Sequence, residues 1–138
     1  MKAKKIIISI LVLSLIGAFI AYKMYNKPHI NVAEEKADIT ITSNKILQEF
    51  STDETTANSK YLEKIVQVKG VVSKIEKENE KGIITLKTND DFGSILCHLS
   101  VEETKKISSL KEGQQATLKG ICTGYLMDVI LVKCVIIN

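Results

Sequence analysis

The sequence has no Trp and no Arg, one Pro, and only seven aromatic residues in 138, three Phe and four Tyr. Without Arg there is no guanidinium fork to grip a phosphate or carboxylate on two oxygens. With one Pro there is no polyproline segment. The three Cys show no C-x-x-C spacing and neither His stands in a ligand pattern beside them, so spacing gives no zinc site. G-x-S-x-G, H-E-x-x-H and Gly-rich phosphate loops are all absent. The sequence therefore implies no metal, no cofactor and no enzyme. What is present is a globular mixture, 45% hydrophobic and 25% charged, which argues against disorder over the whole length.

The net charge of +3 is unevenly spread. Lys2, Lys4, Lys5, Lys23 and Lys27 lie in the first 27 residues, which hold no acid. From Pro28 onward 14 Lys face all 16 acids, a formal charge of −2. A nucleic-acid-binding domain usually carries a basic excess or stripe, and this composition has neither.

Residues 6–22, IIISILVLSLIGAFIAY, run without a charge. Such a run is long enough to cross a bilayer, and Tyr22, Tyr25 and the flanking Lys suit its interfaces. A cleaved leader is the rival reading. It would have a shorter apolar region and an A-x-A-like site, whereas Ala18 and Ala21 are three apart. The expectation is an uncleaved transmembrane segment over 1–27, with the N-terminus cytoplasmic and the globular part outside the cytoplasm. Residues 28–42 read as a linker. Pro28 stops the helix, His29 is solvated, and Asp38 to Thr42 alternates as a short strand.

From 43 onward the pattern is that of one domain, 43–138. Thr42 or Ser43 caps a helix that turns Ile46, Leu47 and Phe50 inward. Asp53 caps a second, with Ala57 and Tyr61 on its inner side. The period then becomes two. Strands are expected over 65–75, 84–88, 94–99, 116–126 and 128–137. Ser100-x-x-Glu103 is a capping box, which predicts a helix over 101–110 between the third and fourth strands. Gly70 in the long first strand marks a bulge or bend, and Gly120 a second position where backbone needs room. The charged stretch ending at Gly82 is a solvated hairpin loop. Five strands in this order fit a mainly β fold, the five-stranded OB-fold barrel with a helical lead-in. An open antiparallel sheet covered by helices is the alternative.

DETTANSKYLEKIVQVKGVVSKIE (53–76) and LKGICTGYLMDVILVKCVII (118–137) resemble the tRNA_anti-like family, bacterial OB-fold proteins that often carry an N-terminal anchor or signal. The resemblance spans roughly 38–137. It implies the architecture and leaves the activity open.

The candidate residues are few. Thr123, Tyr125 and Asp128, near the end of the fourth strand, form a candidate polar ligand site; the alternative is that they terminate a hairpin. Tyr61 is expected to pack. Cys97 and His98 are adjacent on a strand and face opposite ways, which makes a poor dyad. Asp90 and Asp91 cap the turn before Phe92-Gly93, with too few oxygens for calcium. Cys122 falls opposite Cys134 if a three-residue turn joins the last two strands, and an oxidising compartment would then permit a disulfide. Two buried free thiols are the alternative.

The strands expected to form the ligand face of the fold lack aromatics, so base stacking has no platform there. The expected function is a membrane-anchored extracytoplasmic module that binds a protein, peptide or glycan of the envelope. Binding of single-stranded nucleic acid is the runner-up, disfavoured by charge.

Overall fold

The computed structural model describes residues 1–26 and 30–137. The expected helix stop at Pro28 and the solvated His29 lie outside the described residues. The chain divides into two units, Met1–Ile30 and Asn31–Asn138.

The first unit is a single helix, α1 (Lys2–Tyr25), none of whose residues is buried. Its length and composition suffice to span a membrane. A helix satisfies its own backbone polar groups, which is what a bilayer interior demands.

In the second unit, β1 (Ile39–Thr42) is followed by α2 (Ser43–Thr52), α3 (Glu54–Tyr61), β2 (Ile65–Glu78), β3 (Lys81–Lys87), β4 (Ile95–Leu99), α4 (Val101–Thr104), β5 (Gln115–Leu126) and β6 (Asp128–Ile136). The helix starts follow side-chain chemistry. Thr42 Oγ1 accepts the Lys45 N–H at 3.3 Å and Asp53 Oδ1 the Thr56 N–H at 3.1 Å. Each satisfies an amide the helix leaves orphaned.

The barrel closes because β2 is long and changes partner along its length. Its first half pairs with β5 and its second half with β3. β3 continues to β4, β4 runs parallel to β6, and β6 returns to β5. That circuit is a closed five-stranded mixed barrel of OB type. β1 is a sixth strand outside the circuit, parallel to β2 through Ile39↔Val66 to Thr42↔Lys69.

Alternation fills the interior. Val66, Val68, Val72, Ile84, Leu86, Ile95, Cys97, Leu118 and Leu131 are buried there, and Ile46, Leu47, Phe50 and Tyr61 of the lead-in helices belong to the same core. Tyr61 is fully buried against Phe50, with ring centroids 5.5 Å apart.

Several expectations change in detail. The bulge in β2 falls between Val72 and Lys74, three residues beyond Gly70. Gly70 serves a close approach: a Cβ there would stand 2.6 Å from Ser43 Oγ and 3.0 Å from Ser43 Cβ. The charged hairpin loop shrinks to Asn79-Glu80, both at positive φ, because the flanking strands run to the tip. The helix expected over 101–110 is one turn, with a 3₁₀ turn at Ile107–Ser109 after it. Its capping box is half made. Ser100 Oγ accepts the Glu103 N–H, but the Glu103 carboxylate accepts the Ile136 N–H at 3.0 Å instead of reaching back.

The expected linker is also redrawn, since residues from Asn31 onward belong to the barrel unit. Val32 is buried with Ile65 and Val135. Asp38 Oδ2 accepts the Ile65 N–H at 2.9 Å. Lys119, only 7% exposed, donates to the carbonyls of Glu35 at 2.6 Å and Ala33 at 3.5 Å. Segment 31–37 is thus a strap over the outer faces of β5 and β6. At Val135 the outer side of β6 meets this strap.

Candidate functional site

Thr123, Tyr125 and Asp128 all have partners within the barrel. Thr123 Oγ1 donates to the Ile130 carbonyl at 3.3 Å. The Tyr125 ring stacks on Phe50, centroids 5.5 Å apart. Asp128 Oδ1 accepts the Ser94 N–H at 2.8 Å and the Ser94 hydroxyl at 2.7 Å, which ties the start of β6 to β4.

The expected facing of Cys122 and Cys134 is corrected by the register. A one-residue turn at Met127, φ 66°, joins β5 to β6, so Leu126 faces Asp128 and Cys122 faces Leu131. Farther along, Lys133 at φ 51° is an extra residue on β6. It shifts the alternation, so Cys134 points inward with Val129 and Leu131. The position beside Cys134 is Gly120: a Cβ there would collide with Cys134 Sγ. All three cysteines are buried free thiols. Burial raises the pKa of Cys122, and burial with the neighbouring Cys97 thiol raises that of Cys134. An activated nucleophile has the opposite environment. His98, next to Cys97 in sequence, is half-exposed on the outer face of β4.

The lead-in helices hold a second polar cluster. The Tyr61 hydroxyl donates to Glu49 Oε2 at 2.5 Å, and Lys60 Nζ lies 2.9 Å from the same oxygen. The hydroxyl, and to a lesser degree the ammonium, hold the Glu49 carboxyl below its ordinary range against the effect of burial. Burial and the Glu49 carboxylate raise Tyr61. This fastens α3 to α2.

The concave feature that sequence reasoning missed is at the end of the barrel where β3 turns into β4. A cleft of about 570 Å³ separates α2 from the loop 88–92. Leu47 lies at its base, and Asn44, Gln48 and Ser51 come from α2. Thr88, Asn89, Asp90, Asp91 and Phe92 come from the loop. The loop is held by its own bonds. Thr88 Oγ1 donates to the Gly93 carbonyl at 2.5 Å, Asp90 Oδ1 accepts the Phe92 N–H at 2.8 Å, and Asn44 Oδ1 accepts the Asn89 N–H at 2.7 Å. Gly93 lets the loop approach its neighbours, since a Cβ there would lie 2.8 Å from Leu47 Cδ2 and 3.0 Å from the Met127 carbonyl. The result is an aromatic ring left 82% exposed at Phe92, with Leu126 and Met127, 79% and 65% exposed, on the neighbouring turn. Asp90, Asp91 and Phe92 were visible in the sequence as a turn. Their helical partners lie 40 residues earlier, and no local pattern connects them.

The closed circuit with β4 parallel to β6 defines the class, an OB-fold domain preceded by an apolar helix. The tRNA_anti-like family model matches residues 1–136, and the chain belongs to that family. No curated protein matches it. A "putative nucleic acid-binding lipoprotein" from Klebsiella pneumoniae superposes with a TM-score of 0.64 at 20% identity, over 75% of this chain and 100% of its own. A "putative aspartyl-tRNA synthetase" from Leishmania major gives a TM-score of 0.50 at 14% identity, over 88% of this chain and 25% of its own. At these identities the likeness shows the fold alone. The expectation that nucleic acid is a disfavoured partner finds no support in it.

Proposed function

We propose that the protein is a membrane-tethered binding module whose barrel lies outside the cytoplasm, contacts a protein, peptide or glycan of the envelope, and catalyses no reaction. The cleft beside Phe92 carries this reading. It combines a braced polar loop, an exposed ring and an apolar base, which are the elements of a recognition surface. Among the described residues, its hydroxyls, Ser51 and Thr88, donate to backbone carbonyls and not to a base. The thiols, the strongest nucleophiles in the barrel, are buried, and burial raises the pKa of Cys122 and Cys134, the reverse of activation. The 24-residue apolar helix supports the tether.

Photo-crosslinking from position 92 in intact cells, followed by identification of the captured partner, tests the module. Capture of envelope components lost on deleting 88–93 supports it; a capture pattern unchanged by that deletion refutes the cleft as the contact. Alkaline carbonate extraction tests the tether. The full-length chain stays in the pellet, whereas a product starting near Lys23 makes α1 a cleaved leader.

A second reading, binding of single-stranded nucleic acid, is favoured by the structural likeness to the Klebsiella protein. Fluorescence anisotropy with oligonucleotides at low salt separates the two. Tight binding with a steep salt slope reverses the order, because phosphate contacts release counterions.

A further inference from the structure

We infer that the cleft between α2 and the loop 88–92 is a subsite for an uncharged oligosaccharide, with Phe92 as the face on which a pyranose ring stacks. The inference rests on the binding-module reading and names the ligand class of its site.

The chemistry of the walls narrows the choice. Two carboxylates and no lysine line the cleft among the described residues. A phosphate backbone would meet repulsion without a counter-charge, which removes the electrostatic term that dominates nucleic-acid affinity. The hydroxyls of Ser51 and Thr88 are spent on the Gln48 and Gly93 carbonyls, and the other polar side chains are planar amides and acids. Gln48, Asn89 and Asp91 make no side-chain hydrogen bond within the described residues, and Asn44 uses only its oxygen, on the Asn89 N–H. Each therefore presents unused donors or acceptors to the cleft. Amides offer a donor and an acceptor side by side, and ionised carboxylates accept twice. Those arrays match vicinal hydroxyls, each of which is both donor and acceptor. They match a lysine-rich peptide less well, since one of the two acids, Asp90, is already engaged by the Phe92 N–H.

The apolar component fits too. A pyranose has C–H groups on its faces and hydroxyls at its rim. Phe92, 82% exposed, lines the cleft, and the buried Leu47 adds an apolar side chain to its wall. Stacking on the ring removes the apolar face of the sugar from water, while the rim hydroxyls reach the amides. The site is also preformed: the bonds made by Thr88, Asp90 and Asn44 fix the loop without a ligand. Little ordering entropy is then lost on binding.

The test uses the full chain in nanodiscs, because glycosidic detergents would compete. Cellotetraose, chitotetraose and maltotetraose are titrated while amide shifts are followed by NMR. The expected result is saturable binding of at least one of them with a Kd on the order of 1 mM, its shifts confined to 44–51 and 88–94. Phe92→Ala should weaken that binding about 10-fold and Gln48→Ala several-fold, as central contacts in small sites do. Phe92→Tyr, which keeps the ring, should retain it. Absence of saturable shifts with all three sugars overturns the inference. So does binding unchanged in Phe92→Ala, or shifts at these residues produced only by oligo-dT or an oligolysine peptide. Failure here with persistent crosslinking to a protein at position 92 leaves the binding-module reading standing; loss of both removes it.

Discussion

Gly70→Ala gives a sharp test of how the lead-in helix sits on the barrel. Ser43 is the first residue of α2; it is buried, and its hydroxyl donates to the Lys87 carbonyl at 2.8 Å. The new Cβ would stand 2.6 Å from that hydroxyl oxygen, 3.0 Å from Ser43 Cβ and 3.3 Å from Leu86 Cβ. Rotating the hydroxyl away does not clear the Cβ, so α2 must shift or the strand must bend. Overpacking of this kind costs about 1–3 kcal/mol, and loss of the bond to Lys87 adds about 0.5–1.5 kcal/mol. Reduced freedom of the unfolded chain offsets about 0.4–1 kcal/mol. The net expectation is a loss of about 0.5–4 kcal/mol, read as a drop in Tm of at least about 2 °C for a domain of this size. Ser43→Gly removes both clashing atoms. In that background Gly70→Ala should cost less than about 0.5 kcal/mol, a coupling that only direct contact produces. Additive losses in the double variant, or an unchanged Tm in Gly70→Ala, would show that the close approach is not what requires glycine.

Three further outcomes are expected. Gly120→Ala should destabilise by about 1–3 kcal/mol through collision with Cys134 Sγ, and Cys134→Gly should relieve it in thermal melts; equal losses in the two backgrounds refute this pairing. Glu103 is buried, which raises its pKa, but the Lys106 ammonium and the Ile136 N–H outweigh burial and leave it below its ordinary value of 4.5. Its stabilising contribution is therefore present above about that pH and lost as pH falls through the folded-state value; urea titrations of wild type should show this acid loss, reduced in Glu103→Gln, and an unchanged acid limb refutes it. Lys119→Met should free the strap, seen as faster amide exchange at 33–36 with the core strands still protected; unaltered exchange there means that the apolar contacts of Val32 and Ala37 hold it without the ammonium.

The parts of the fold legible in the sequence were those written in local physics. Two-residue alternation located all five barrel strands, since Val66, Val68 and Val72 or Ile84 and Leu86 must share a face. Thr42 and Asp53 are helix caps because a hydroxyl or carboxylate there meets an orphan amide. Illegible features depend on residues far apart. Lys133 carries no mark of an extra residue, yet its positive φ flips the phase of β6 and turns Cys134 inward. Nothing local marks Lys119 as buried; the return of residues 33–35 over β5 makes its burial tolerable, by giving the ammonium two carbonyls. The Ser100 box was half right because Glu103 found a better partner in the open end of β6.

The same geometry explains why recognition would move away from the strand-end loops that an OB-fold often uses. The β2–β3 connection is two residues, Asn79 and Glu80, and the β5–β6 connection is Met127 alone. Turns that short follow the twist of their strands and leave no spare side chains to enclose a ligand. The β3–β4 connection, residues 88–94, is longer and lies against a helix that precedes the barrel in sequence. Ser43, Asn44 and Leu47 fix that helix to Lys87, Asn89 and Gly93, so the loop is rigid and still open on one side. A rigid loop over a polar cleft is where binding energy is least eroded by ordering. The lead-in helix is therefore more than a cover for the core. It supplies the second wall of the cleft as well as Ile46, Leu47 and Phe50 of the core.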